Sequence, residues 1–298
     1  MVGLKIIYGF KILTIQNPKS KIQNRLWLAL IIGNSRLHWA YFVGETLEEA
    51  WDTDHLPASV VKQLTGRWNA GELPGEIFPP QWNSIGNALT QLPLYVASVV
   101  PVQTELWQTY EATKVITLDY VPLLGLYPTL GVDRALALWG ACQNFGCPVL
   151  VIDAGTALTF TAADANHRLV GRAIMPGLRL QIQSLAQRTA ALPEIQSPSQ
   201  LPPRWALNTP AAIESGVVYT LLAGIKDFIE AWWQEFPGSR VVVTGGDRIL
   251  LLDYLQSQYP QTAAKVIADA HLIFWGMRST KLRIFKEGAS RTEFHSDS

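Results

Sequence analysis

Trp27-Leu-Ala-Leu-Ile-Ile-Gly-Asn-Ser35 runs into Arg36-Leu-His-Trp-Ala-Tyr-Phe-Val43, and Val149-Leu-Val-Ile-Asp-Ala-Gly-Thr-Ala157 runs into Leu158-Thr-Phe-Thr-Ala-Ala163. Each pair is a continuous apolar strand, a turn made of glycine and a small polar residue, then a strand of β-branched and aromatic residues. That order reads as a β-hairpin. Aligning Gly33 with Gly155 sets a repeat of 122 residues. Helical stretches and further strands follow each hairpin. Asp133 to Gln143 reads as a helix and Leu94 to Val99 as a strand. Ala211 to Phe236 reads as a long helix, and Arg240 to Thr244 as a strand entering Gly245-Gly246. The pattern predicts a duplicated α/β fold with a cleft between its halves, a favoured place for ligands.

Outside the repeat the chain changes character. Residues 1–25 carry five basic residues and no acid, and Ile15-Gln16-Asn17 recurs as Ile22-Gln23-Asn24. They read as an extension outside the fold. The halves are then expected at 26–148 and 149–280, with a polar tail at 281–298. Glu45 to Gln91 is rich in Trp, Pro and Gly but weakly periodic, so few elements are assigned there.

Composition narrows the function. Lys plus Arg and Asp plus Glu each number 24, so the formal charge is zero. Nucleic-acid binders need clustered excess cations, which argues against that class. The longest apolar candidate, Leu26 to Ala40, is interrupted by Gly33, Asn34, Ser35, Arg36 and His38, short of the ~20 residues of a membrane span. Neither a secretory signal nor a membrane partner is expected, and a cytoplasmic location fits. Cys142 and Cys147 are too few for a disulfide framework and read as two buried thiols. His38 and His167 have no neighbours at metal-ligand spacing and read as non-ligands.

Only 16% of residues are charged, which makes charge in apolar stretches informative. From Tyr120 to Ala163 the charged residues are Asp133, Arg134 and Asp153. Asp133 after Gly131-Val132 is either a helix N-cap or a general base, with Arg134 as an anchor for an anionic group. Asp153 ends an apolar strand, where a carboxylate needs a hydrogen-bonding turn or a cation. Gly33-Asn34-Ser35 and Gly155-Thr156-Ala157 are either tight turns or paired amide cradles for a polyphosphate. Thr209-Pro210 opens the long helix as an N-cap with proline at the first helical position, or else faces a ligand. Val241-Val-Val-Thr-Gly-Gly-Asp247 fits close approach of a nucleotide, or a sharp strand-to-helix turn.

The ordered set Gly33-Asn34-Ser35, Gly131-Val132-Asp133-Arg134, Asp153-Ala154-Gly155-Thr156-Ala157, Ala173-Ile174-Met175-Pro176-Gly177, Asn208-Thr209 with Ser215-Gly216, and Thr244-Gly245-Gly246 resembles the type III pantothenate kinases. It spans roughly residues 26 to 278. The resemblance implies an actin-like fold of the sugar-kinase/Hsp70/actin, ribonuclease H-like type. It implies ATP-dependent phosphorylation of pantothenate to 4′-phosphopantothenate, the first step of coenzyme A biosynthesis. It also implies a cytoplasmic homodimer that needs Mg2+ with ATP and a monovalent cation, K+ or NH4+. By the same resemblance, Asp133 is the general base, and Tyr127, Gly131, Val132, Asp133, Arg134 and Thr209 bind substrate. Gly33, Asn34, Ser35, Arg36, Leu37, His38 and Thr156 bind ATP, and Asp153 binds the monovalent cation. One departure stands out: Ile31 occupies the position, two residues before Gly33, where the family carries Asp. That substitution keeps open two alternatives, a non-catalytic binding member of the fold and a kinase of another small hydroxylated substrate.

Overall fold

The computed structural model describes residues 6–8, 11–13, 26–72 and 92–281. The segment 73–91, the tail from 282 and most of the N-terminal extension lie outside these residues. Within that extension, Ile6–Tyr8 and Lys11–Leu13 pair as a small antiparallel ribbon. The described chain forms two compact units, divided between Ile116 and Thr117. From sequence the division falls between 148 and 149. The difference is the helix carrying Asp133, which packs on the second sheet.

The first unit holds β1 (Leu26–Ile32), β2 (Leu37–Val43), β3 (Thr46–Thr53), β4 (Leu94–Ser98) and β5 (Thr113–Val115), in the sheet order β3-β2-β1-β4-β5. The hairpins β1/β2 and β2/β3 are antiparallel, and β4 and β5 join in parallel. Helices α1 (Ala58–Asn69) and α2 (Pro101–Trp107) belong to the same unit. The core is aromatic. Trp39, Trp68 and Trp107 are buried together with Tyr41 and Tyr110, and Trp39 meets Trp107 edge-on at 5.1 Å. Three of the eleven tryptophans are used here, since large rings fill a small core efficiently.

The second unit repeats the sheet. Strands β6 (Val149–Ala154), β7 (Ala157–Ala163), β8 (Leu169–Pro176), β9 (Arg240–Thr244) and β10 (Val266–Ala268) lie in the order β8-β7-β6-β9-β10. The pairing directions match the first sheet strand for strand. The duplicated α/β class expected from the hairpins is thus the class observed. The helices are α3 (Val132–Phe145), α4 (Leu178–Arg188), α5 (Thr209–Glu235), α6 (Arg248–Gln258), α7 (Pro260–Ala263) and α8 at 272–281.

Strand alternation sets the two faces of this sheet. Leu150, Ile152 and Ala154 join one cluster with Ile213, Val217 and Leu221 of α5. No α3 residue belongs to that cluster, although α3 packs on β6 and β7. Helix α3 therefore covers the opposite face, to which Val149, Val151 and Asp153 point. At its far side α3 meets α8 backbone to backbone. A Cβ on Gly140 would stand 1.9 Å from the Leu272 carbonyl oxygen, and one on Gly276 would stand 2.1 Å from that of Leu136.

Two local readings are corrected. Cys142 and Cys147, expected as thiols, are joined as a disulfide. Gly146, at φ 81°, reverses the chain after α3 and brings the two Cα atoms to 5.0 Å, within bonding range. The long helix is capped by Asn208, not Thr209. Asn208 has the extended backbone a cap requires and its side chain accepts the Ala211 N–H, so Thr209 and Pro210 occupy the first helical turn.

Candidate functional site

The second unit gathers two groups of predicted site residues. The first lies at the start of α3. The cap position is Gly131, with extended backbone and no capping side chain. Of the two readings of Asp133, helix cap or general base, the cap does not hold: Asp133 sits inside the first turn, where Oδ1 accepts the Arg134 backbone N–H at 2.8 Å. A side chain on Gly131 would displace the functional groups beside it: its Cβ would stand 2.3 Å from Asp133 Oδ1 and 3.3 Å from an Arg134 guanidinium nitrogen, so both side chains would have to move. The bare glycine leaves room for a carboxylate and a guanidinium side by side. Helix N-terminal N–H groups favour the carboxylate there. The Arg134 Nε is buried without a hydrogen-bond partner, a costly state for a charged donor unless an anion arrives.

The second group surrounds the Gly155 turn. Gly155 N–H donates to the Ala157 carbonyl and Gly177 N–H to the Thr156 carbonyl. Gly177 must lack a side chain, because its Cβ would lie 2.1 Å from the Gly155 carbonyl oxygen. Gly245, at φ +89°, adopts a conformation other residues resist, and its Cβ would fall 2.5 Å from Asp153 Oδ1. Three glycine turns therefore converge beside Asp153, at the C-terminal end of β6. The register extends this into a polar row, with Thr159 on β7 and Thr244 on β9 opposite Asp153. Both threonines are buried.

Two members of this group lack an obvious sequence signal. Asp247, buried, accepts from Arg179 at 2.9 Å, and its N–H donates to the Ala154 carbonyl. These bonds tie the turn after β9 to the start of α4 and the end of β6. Asp247 follows the Gly-Gly pair, but its partner is 68 residues away.

The remaining predicted residues are dispersed. Tyr127 packs its ring under the Arg172 guanidinium at 4.8 Å. Thr209 is exposed at the start of α5. The Gly33 turn belongs to the first unit, where Gly33 N–H donates to the Arg36 carbonyl and His55 Nε2–H donates to the Gly33 carbonyl at 2.9 Å. Ile31 is buried. Among the described residues no three His, Cys, Asp or Glu side chains gather as a metal site, and no helix is long and apolar enough to cross a membrane.

A protein from Nostoc sp. strain PCC 7120, a type III pantothenate kinase by name, is 55% identical over 275 residues, covering 89% of this chain and 97% of its own. A Synechocystis sp. strain PCC 6803 protein of the same name is 43% identical, covering 89% and 92%. The crystal structure of a conserved Baf family protein from Campylobacter jejuni superposes with a TM-score of 0.54 at 20% identity, covering 88% of this chain and 99% of that one, a likeness of fold. The family profile for type III pantothenate kinase matches residues 27–231, and the chain belongs to that family.

Proposed function

We propose that the reaction of this family, ATP-dependent phosphorylation of pantothenate to 4′-phosphopantothenate on the way to coenzyme A, runs in this chain with Asp133 as general base. The observation that carries the assignment is the cleared space at Gly131. It leaves one carboxylate and one guanidinium together at a helix N-terminus, in a stretch otherwise almost without charge. The substrate hydroxyl oxygen attacks the γ-phosphorus, the bond from that phosphorus to the β-bridging oxygen breaks, and ADP leaves. The hydroxyl proton passes to Asp133. Arg134 holds the substrate carboxylate. Tyr127, Gly131, Val132 and Thr209 complete the substrate contacts. Gly33, Asn34, Ser35, Arg36, Leu37, His38 and Thr156 hold the nucleotide through turn amides and side chains.

Phosphoryl transfer depends on positioning and charge neutralisation more than on covalent help. The oxygen-rich surroundings of Asp153 suit a monovalent cation, K+ or NH4+. Among the described residues no carboxylate cluster offers itself to magnesium, an ion content with phosphate and water ligands. Magnesium accompanies ATP and offsets phosphate charge. The enzyme acts as a cytoplasmic homodimer.

An ADP-release assay with ATP, Mg2+ and K+ tests the reading. Pantothenate should drive release, and Asp133→Asn should lower turnover by about 10²–10⁴-fold with ADP affinity and circular dichroism unchanged. Near-normal turnover in that variant removes Asp133 from the role. Ile31 favours one competing reading, a binding-only protein. Nucleotide and pantothenate binding without any ADP release would establish it.

A further inference from the structure

Register in the first sheet places Ile31, His38 and Asp52 in one row across β1, β2 and β3. Directly opposed residues share a face, so the three side chains project together. The equivalent row of the second sheet carries its carboxylate, Asp153, on the central strand. In the first sheet the central strand carries an isoleucine, and the carboxylate appears two strands away. Between them stands His38, whose Nδ1 lies 2.7 Å from Asp52 Oδ1. An ionised carboxylate only accepts, so the shared hydrogen sits on Nδ1. The other ring nitrogen, Nε2, lies 3.8 Å from the point a Gly33 Cβ would occupy. It therefore faces the turn. His55 engages the Gly33 carbonyl from another side.

We propose that His38 contacts a nucleotide phosphate at the Gly33 turn and that Asp52 positions it to do so. The proposal rests on the reading of that turn as a phosphate loop. Asp52 holds the ring through Nδ1–H, and a phosphate oxygen accepts from Nε2–H, so the ring is an imidazolium in the complex. An acid at position 31 would stand directly opposite His38 and compete for it. The isoleucine there leaves the imidazolium to Asp52 and the phosphate. The first turn thus receives polyphosphate by a direct cation contact instead of through a carboxylate-held metal.

Calorimetry with ADP and steady-state kinetics on the full chain test this. His38→Gln and Asp52→Ala should each weaken ADP binding about tenfold and raise KM for ATP, leaving KM for pantothenate unchanged. In the His38→Gln background, Asp52→Ala should add less than about twofold, because its partner is already gone. An equal loss from Asp52→Ala in both backgrounds would mean a structural role and overturn the positioning claim. Gly33→Ala separates this proposal from its premise. The added methyl has no contact closer than 3.4 Å, so the variant folds, yet it stands in the phosphate path and should weaken ADP. Weakening by Gly33→Ala with none by His38→Gln would sink the histidine contact alone. No weakening by either would remove the phosphate-loop reading as well.

Discussion

Alanine at two helical glycines of the second unit should shift stability in opposite directions. Gly224 lies inside α5 with no heavy atom within 4 Å of a built Cβ. Replacing it removes glycine's backbone-entropy penalty and should stabilise by about 0.5–1 kcal/mol. Gly140 lies inside α3 and would enjoy the same propensity gain, but its Cβ would stand 1.9 Å from the Leu272 carbonyl oxygen and 2.9 Å from the Gly276 nitrogen. Both are backbone atoms of α8 and cannot rotate away. Relief requires the helices to separate by more than about 1 Å, since carbon and oxygen resist approach much below 3 Å. Separation loosens the Trp139 Nε1–H bond to Ser279 Oγ and the packing of Leu136 and Leu272, both fully buried. Overpacking of this kind costs about 1–3 kcal/mol or more, which outweighs the propensity gain. For a net cost of about 2 kcal/mol, Gly140→Ala should lower the melting temperature by roughly 4–8 °C, at about 2–4 °C per kcal/mol for a domain of this size, while Gly224→Ala raises it slightly. Thermal unfolding followed by circular dichroism decides between them. If Gly140→Ala matches or exceeds wild-type stability, the close helix crossing is wrong and Gly140 is an ordinary helical glycine.

Gly245→Ala should cost roughly 1–3 kcal/mol from its positive φ alone. It also crowds Asp153 Oδ1, so monovalent-cation activation should fall along with stability; activation at wild-type potassium concentrations would count against Asp153 as the cation ligand. The tyrosines offer a pH test. Burial raises Tyr95 well above its usual range, and it raises Tyr110 against the opposing bond to the Leu92 backbone. Tyr254 is pushed up to about 12 by burial and then by the charges of Glu214 and Asp247. The folded state holds these protons more tightly than the unfolded chain, so their contribution is complete below about pH 10. It is lost as pH rises from there through the folded values. Spectrophotometric titration should find Tyr95, Tyr110 and Tyr254 lagging until the chain unfolds, and their ionisation near pH 10 in the folded protein would contradict their burial.

The hairpins were legible because their strands are buried and continuous, and because glycine with a small polar residue leaves few alternatives to a turn. β9 matches its expected range, Arg240–Thr244, for the same reason. β3 was not legible. It is an edge strand, half exposed, and its Glu48, Glu49 and Asp52 obscure the alternation. The choice of Asn208 over Thr209 as cap turned on backbone dihedrals at two adjacent capping residues, which composition does not distinguish. The Asp247–Arg179 pair and the Gly140–Gly276 crossing join residues far apart in the chain, and no local pattern announces either.

His38 shows the limit most clearly. Spacing along the chain gave it no partner, and by that criterion it is a non-ligand. Its partner comes through register: β2 returns along β1 and β3 returns along β2, so Asp52 arrives opposite it across the sheet. Duplication makes the comparison quantitative in position if not in chemistry. Equivalent rows begin from the same strand end in both units. One row places a carboxylate at the centre between two threonines, and the other places an isoleucine at the centre with a histidine and a carboxylate outward. The neutral net charge hides this division. A chain with few charges can treat its two glycine turns differently, giving the second a negative group suited to a cation and the first a ring suited to an anion. The loss of Asp at position 31 is then compatible with a working kinase, provided the row beside it supplies the charge.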